Sequence, residues 1–170
     1  MTPPKKIRLA LLLLLLLCWG SPGSLAQEPT HTGDLTTVDW QFMAQQRETM
    51  QDLAMMNLGR QFNGDRKLDL ALLQALLNKQ LVRPDQAREL QAMGVIMGDL
   101  LAAELGMRWV LYEDNVGRSP ALRYQKSDNV LFPMTMIARR REVGNQTSVV
   151  NIYQKASDIV ADSTPALPFQ

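Results

Sequence analysis

The apolar spacing of this chain changes period at a single glycine. Before Gly106, the residues Leu90, Gly94, Met97, Leu101 and Leu105 recur every three or four positions, the spacing of one helical face. After it, Arg108-Trp109-Val110-Leu111-Tyr112-Glu113 is short, rich in β-branched and aromatic residues, and reads as a strand. A helix that runs directly into a strand fits neither an all-helical bundle nor an all-β sandwich. The expected class is α+β, with helices covering one face of a small antiparallel sheet.

The other elements follow from local signals. Thr36-Thr37-Val38-Asp39 supplies a cap and an acidic first turn for a helix over about 38–61, which Asn63-Gly64-Asp65 interrupts. Asp65 caps a second helix with the stripe Leu70, Leu73, Leu77 and Leu81. Arg83-Pro84-Asp85 is expected to open the third helix, with proline at its first position, and that helix runs to Leu105. Gly94 and Gly98 lie one turn apart inside it, where each costs ~1 kcal/mol against alanine, so close packing of the helix backbone is expected to offset them. Three strands follow: 108–113, Ala121–Tyr124, and a third from Val130-Leu131-Phe132 through Met134 to Ala138, at an edge or bulged at Pro133. Gly144-Asn145 turns the chain, and Thr147 is expected to cap a closing helix over about 148–161. The folded domain is therefore expected over 36–162, between a flexible segment 27–35 and a loose tail 163–170.

The first 26 residues do not belong to that domain. Lys5, Lys6 and Arg8 precede an apolar run from Leu9 to Trp19, followed by Ser21-Pro22-Gly23 and the small-residue site Ser24-Leu25-Ala26. That order is a secretory signal peptide with cleavage expected after Ala26. The apolar run is shorter than the ~20 residues of a bilayer-spanning helix, so no permanent membrane anchor is expected. Cys18 opens a lipoprotein alternative, although Leu17 precedes it where a small residue is wanted. Export places the mature chain in the periplasm or outside the cell.

Cleavage removes three of the 18 basic residues and none of the 17 acidic ones, which leaves a net charge of −2. Nucleic-acid binding is excluded on that balance, because phosphate recognition needs concentrated positive charge. Cys18 is the one cysteine and His31 the one histidine, so disulfides, thiolate sites, catalytic triads and histidine-rich metal sites are excluded from the mature chain. Methionine pairs such as Met93 with Met97 and Met134 with Met136 carry soft thioether sulfur, yet with no histidine or cysteine to complete a ligand set they read as core. No metal and no cofactor is expected.

Three groups could carry chemistry. Glu104, Glu113, Asp114 and Asp128 could pair as acid and base, although spacing along a sequence does not bring carboxylates together. Arg139-Arg140-Arg141 ends the expected third strand, where charge discourages edge pairing; alternation would put Arg139 and Arg141 on one side. Arg123 with Arg140 or Arg139 could grip an anionic ligand or an acidic partner, since arginine forks suit carboxylates and phosphates. Asn145-Gln146-Thr147 matches a glycosylation acceptor by chance composition.

The stretch Gly94-Val-Ile-Met-Gly98, then Glu104-Leu105-Gly106-Met107-Arg108-Trp109-Val110, the turn Glu113-Asp114-Asn115-Val116-Gly117, and Asn129-Val-Leu-Phe132-Pro133-Met-Thr-Met-Ile137 resemble a bacterial family, a domain of unknown function of the DUF3806 type. The likeness runs over about residues 84–160. It implies an α+β fold and a bacterial source, and it assigns no catalytic residue. The expected function is a non-catalytic envelope module that binds a protein or a small anionic ligand through Tyr112, Arg123, Tyr124 and Arg140, with Trp109 in the core. The competing classes are a small carboxylate-dependent hydrolase and a soluble inhibitor or immunity-type partner of an envelope enzyme; a metal carrier ranks last.

Overall fold

The computed structural model describes residues 30–125, 127 and 129–162. The expected signal peptide with Cys18 and its expected cleavage site, the carboxylate Asp128 and the tail from residue 163 lie outside the described residues. Helix α1, Thr37–Leu58, begins at a capping box: the Thr36 hydroxyl accepts from the Asp39 N–H, and the Asp39 carboxylate accepts from the Thr36 N–H at 2.8 Å. It ends three residues before the expected boundary because Gly59 takes up φ 61° and closes its last turn. Helix α2, Arg66–Asn78, is capped by Asp65 as expected, but it buries Leu70, Leu72, Leu73 and Leu76, so Leu77 sits at the margin and Leu81 beyond the helix.

Helix α3, Ala87–Leu105, starts later than Pro84 suggests. Residues 83–86 close a turn first: the Gln86 N–H donates to the Arg83 carbonyl at 3.0 Å, and the Gln86 side-chain oxygen accepts from the Arg83 N–H. At its far end Gly106 takes the left-handed conformation, as the change of period requires, and the chain passes straight into β2, Met107–Asp114. A two-residue turn at Asn115-Val116 leads into β3, Gly117–Tyr124, longer than expected by its first four residues. Pro120 is tolerated within β3 because β4, Val130–Leu131, pairs only with Leu122 and Arg123 and leaves the rest of that side an open edge.

Two corrections change the architecture. Among the described residues the sheet has four strands, since β1, His31–Gly33, lies in the segment expected to be flexible and pairs antiparallel with Leu111–Glu113; the order is β1-β2-β3-β4. The expected third strand stops at Leu131, and Pro133–Glu142 forms helix α4. Proline at a first helical position loses no hydrogen bond, and Met134, Ile137, Ala138 and Arg141 are buried at helical spacing. The closing helix α5, Val149–Asp162, is preceded by Ser148, whose hydroxyl accepts from the Asn151 N–H; Ser148 thus does what was expected of Thr147.

Helix α3 runs through the middle of the protein and packs against α1, α2, α4, α5 and the inner face of the sheet. Its residues 92–98 are all buried, and Met93 and Met97 are fully enclosed in the main core. The paired glycines are explained by contact. A Cβ on Gly94 would lie 2.5 Å from the Met134 Cα and the Pro133 carbonyl oxygen, and one on Gly98 would lie 2.4 Å from the Trp109 ring. Trp109 is further fixed by its indole N–H, which donates to Asp99 at 3.0 Å, while Asp99 also accepts from Arg47 of α1 at 2.6 and 2.8 Å. One carboxylate therefore ties α1, α3 and β2 together. Among the described residues five helices pack on an antiparallel sheet, and the protein is α+β.

Candidate functional site

Strand register sorts the candidate side chains. The pairs Met107–Tyr124, Trp109–Leu122 and Leu111–Pro120 share the face that α3 covers. The pairs Arg108–Arg123, Val110–Ala121 and Tyr112–Ser119 share the outer face, with Thr32 of β1 opposite Tyr112. Val110 and Ala121 are buried at the middle of that outer face yet stand apart from the main core, so it carries a small apolar layer of its own.

Tyr112 and Arg123 thus lie on the outer face while Trp109 lies in the core. Tyr124 belongs to the inner row, is half-buried against the core, and accepts from the Gln125 amide at 3.1 Å. Arg140 lies on α4, and its guanidinium donates back to the Met136 carbonyl at 2.5 Å. The strand alternation expected for Arg139, Arg140 and Arg141 does not apply, because all three are helical: Arg139 is exposed and Arg141 is buried. Arg123 spans the outer face, donating to the Ser127 carbonyl at 2.7 Å and to the Thr32 hydroxyl at 2.8 Å, and so links β1 to the turn after β3.

Where the hairpin approaches α4, the outer face forms a groove of about 450 Å³. Tyr112 and Phe132 meet edge to face there, centroids 5.1 Å apart and planes at 88°. Arg118 and Arg139 flank them, with Ser119 and Thr135 supplying hydroxyls. Arg118 faces Glu113 at 3.8 Å, an exposed and weak pairing, and Arg139 has no hydrogen-bond or ion-pair partner among the described residues. Asp114, the only carboxylate in the lining among the described residues, has one oxygen accepting from the Val116 and Gly117 N–H groups of the hairpin turn. An aromatic pair between two arginines suits an acidic or π-bearing group. Phe132, Thr135 and Arg118 were not singled out from the sequence; the available signal was proline at a helix start followed by apolar residues three and four positions on.

The carboxylates considered as acid and base are engaged at separate points. Glu104 accepts from Arg66 and from the Tyr153 hydroxyl, Glu113 faces Arg118, and Asp114 caps its turn. Burial, then the hydrogen bond and charge of Glu104, push the Tyr153 phenol well above its ordinary pKa, so it stays protonated across the physiological range. Among the described residues no cluster of three or more histidine, cysteine or acidic side chains is placed to hold a metal, and no helix is long and apolar enough to cross a membrane.

No curated protein matches the sequence. A crystal structure from Bacteroides thetaiotaomicron VPI-5482 has a similar fold, with a TM-score of 0.71 and 21% identity over 79% of this chain. The chain spans 50% of the length of that protein. The model of the family described as Domain of unknown function (DUF3806) matches residues 69–153, from the buried face of α2 to the middle of α5, and this includes the glycine-bearing helix, the hairpin and the phenylalanine-proline junction. With half its length matched in this way, the chain belongs to the DUF3806 family.

Proposed function

We propose that this protein is exported to the bacterial envelope, where it acts as a non-catalytic module that binds an acidic segment of a partner protein in the groove beside α4. The Tyr112–Phe132 pair between Arg118 and Arg139 carries this reading, because aromatic and arginine side chains in a shaped recess dominate recognition surfaces. Among the described residues Arg139 stands without a carboxylate partner at that rim, and a partner's aspartate or glutamate would supply one. The basic, apolar and small-residue zones of the first 26 residues support export. The dispersed engagement of Glu104, Glu113 and Asp114 favours binding over carboxylate catalysis.

The test is capture from crosslinked envelope extract with tagged protein starting at Gln27, comparing wild type with Arg139→Glu, Tyr112→Ala and Arg140→Glu. The expected result is one partner that Arg139→Glu and Tyr112→Ala lose and Arg140→Glu keeps. A partner held equally by all the variants would move the interface elsewhere, and failure to capture any partner would overturn the reading.

A further inference from the structure

A second recess lies away from the groove, between the end of α2, the 79–84 connection and the turn from α4 to α5. It has a volume of about 550 Å³, and its lining holds no carboxylate among the described residues. Arg141 forms part of its wall. The residue is only 5% exposed, its guanidinium donates to the Gln146 side-chain oxygen and to the Thr147 carbonyl at 3.1 Å, and its Nε is buried without an acceptor among the described residues. Desolvation draws the Arg141 pKa below its ordinary value. A buried guanidinium normally carries an anionic partner, because the cost of removing its charge from water is otherwise offset only by neutral hydrogen bonds.

The amides around it are oriented to donate. The Gln74 oxygen already accepts from the Val149 N–H at 2.8 Å, and its NH₂ donates to the Asn78 oxygen at 2.7 Å. The Gln146 oxygen is taken by Arg141. What remains for an occupant is the NH₂ of Asn78, the NH₂ of Gln146, the side-chain amide of Gln80, and the guanidinium edges of Arg141 and of Arg83, whose Nε already donates to Asp85 at 3.2 Å. Leu77, Val82 and Pro84 complete the wall with apolar surface. A lining rich in donors and without a carboxylate among the described residues, beside a short hydrocarbon wall, is complementary to a carboxylate carried on a small carbon skeleton.

We propose that this recess is a binding site for a small organic carboxylate, such as the C-terminal residue of a short peptide, with Arg141, Asn78 and Gln146 as its hydrogen-bond donors. It uses none of the groove residues and stands or falls separately from the function proposed above.

Replacing Gln146 by Glu tests it without removing a packed group. Gln146 is exposed, and a carboxylate there would give Arg141 an internal ion pair in the place the ligand would take. The measurement is amide and side-chain NMR titration of the ¹⁵N-labelled protein with N-acetylalanine, its uncharged amide, and inorganic phosphate. Wild type is expected to show saturable shifts at Asn78, Arg141 and Gln146 with N-acetylalanine, and none with the amide. Gln146→Glu is expected to keep the fold and melting temperature while binding weakens by about tenfold or more, a change worth one charge-assisted hydrogen bond. Asn78→Asp, on the exposed rim, is expected to do the same. Absence of saturable shifts in wild type, equal binding in both variants, or binding of phosphate in preference to the carboxylate would each overturn the proposal.

Discussion

Replacing Gly94 by alanine sets two physical effects against each other with opposite signs. Helix propensity alone predicts a gain of ~1 kcal/mol, because alanine loses less backbone entropy than glycine on entering a helix. The contact predicts a loss. The new Cβ would lie 2.5 Å from the Met134 Cα and the Pro133 carbonyl oxygen and 2.9 Å from the Met134 carbonyl carbon, all backbone atoms of the first turn of α4. Normal carbon contacts are about 3.5–4.0 Å, so the two helices must separate by on the order of 1 Å. Overpacking of this kind costs about 1–3 kcal/mol, and the upper end applies where backbone rather than a side-chain tip must move. Shifting α4 also loosens the burial of Met134, Ile137 and Ala138. The net expectation is a destabilisation of about 2 kcal/mol or more, read as a lower urea midpoint with unchanged slope in far-ultraviolet circular dichroism. A Gly94→Ala protein as stable as wild type, or more so, would refute the close seat of α4 on α3.

Three further outcomes follow from named contacts. Asp99→Ala leaves Arg47 and the Trp109 indole without their shared acceptor and should cost about 1–2 kcal/mol, discounted for the partial exposure of the ion pair; urea unfolding measures it, and a loss below a few tenths would show that Asp99 is not the tie between α1, α3 and β2. Tyr153 has its folded pKa raised, so its contribution is complete below the ordinary tyrosine value near ~10 and declines as pH rises beyond it; melting curves should fall above that pH in wild type and less steeply in Tyr153→Phe, and identical slopes would contradict the assignment. Asp39 has the opposite sign, since hydrogen bonds from Thr36 hold its carboxyl below the ordinary range; its contribution is present above pH ~4 and lost as pH falls through its folded value, so Asp39→Asn should be less stable than wild type at pH 7 and should lose less on acidification to pH 3.

Most local signals were legible where one residue decided the geometry, Pro84 and Thr147 being the exceptions. The threonine cap expected within Thr36-Thr37 is Thr36, Asp65 caps the helix it was expected to cap, Gly106 separates helix from strand, and the two helical glycines are pressed against neighbouring groups. Reading failed where two principles competed over the same residues. Val130-Leu131-Phe132-Pro133-Met134 has strand composition, but Pro133 both ends the ladder and begins a helix, and only the burial of Met134, Ile137 and Ala138 decides between those roles. His31–Gly33 carries almost no strand propensity and is ordered by its partner, so nothing local announces β1. Of the candidate site, Tyr112 with Arg123 on the outer face followed from alternation, whereas Arg118, Phe132 and Arg139 meet only through the return of α4 to the hairpin.

That correction to α4 changes what the arginine run can do. On a strand, Arg139 and Arg141 would point the same way; on a helix, at about 100° per residue, they diverge by roughly 200°. Arg139 accordingly reaches the aromatic groove and Arg141 the carboxylate-free recess, and one short helix holds both. Neither arginine sets its own position, because α4 is seated on α3 by Gly94 and Gly98. The seat, rather than either site, should therefore control both together. In a Gly94→Ala protein kept folded at low temperature, partner capture at the groove and N-acetylalanine binding at the recess should weaken in parallel, whereas Arg139→Glu should abolish the first and spare the second. A folded Gly94→Ala protein that loses one and keeps the other intact would show that the two sites are positioned independently, with α4 only a connection between them.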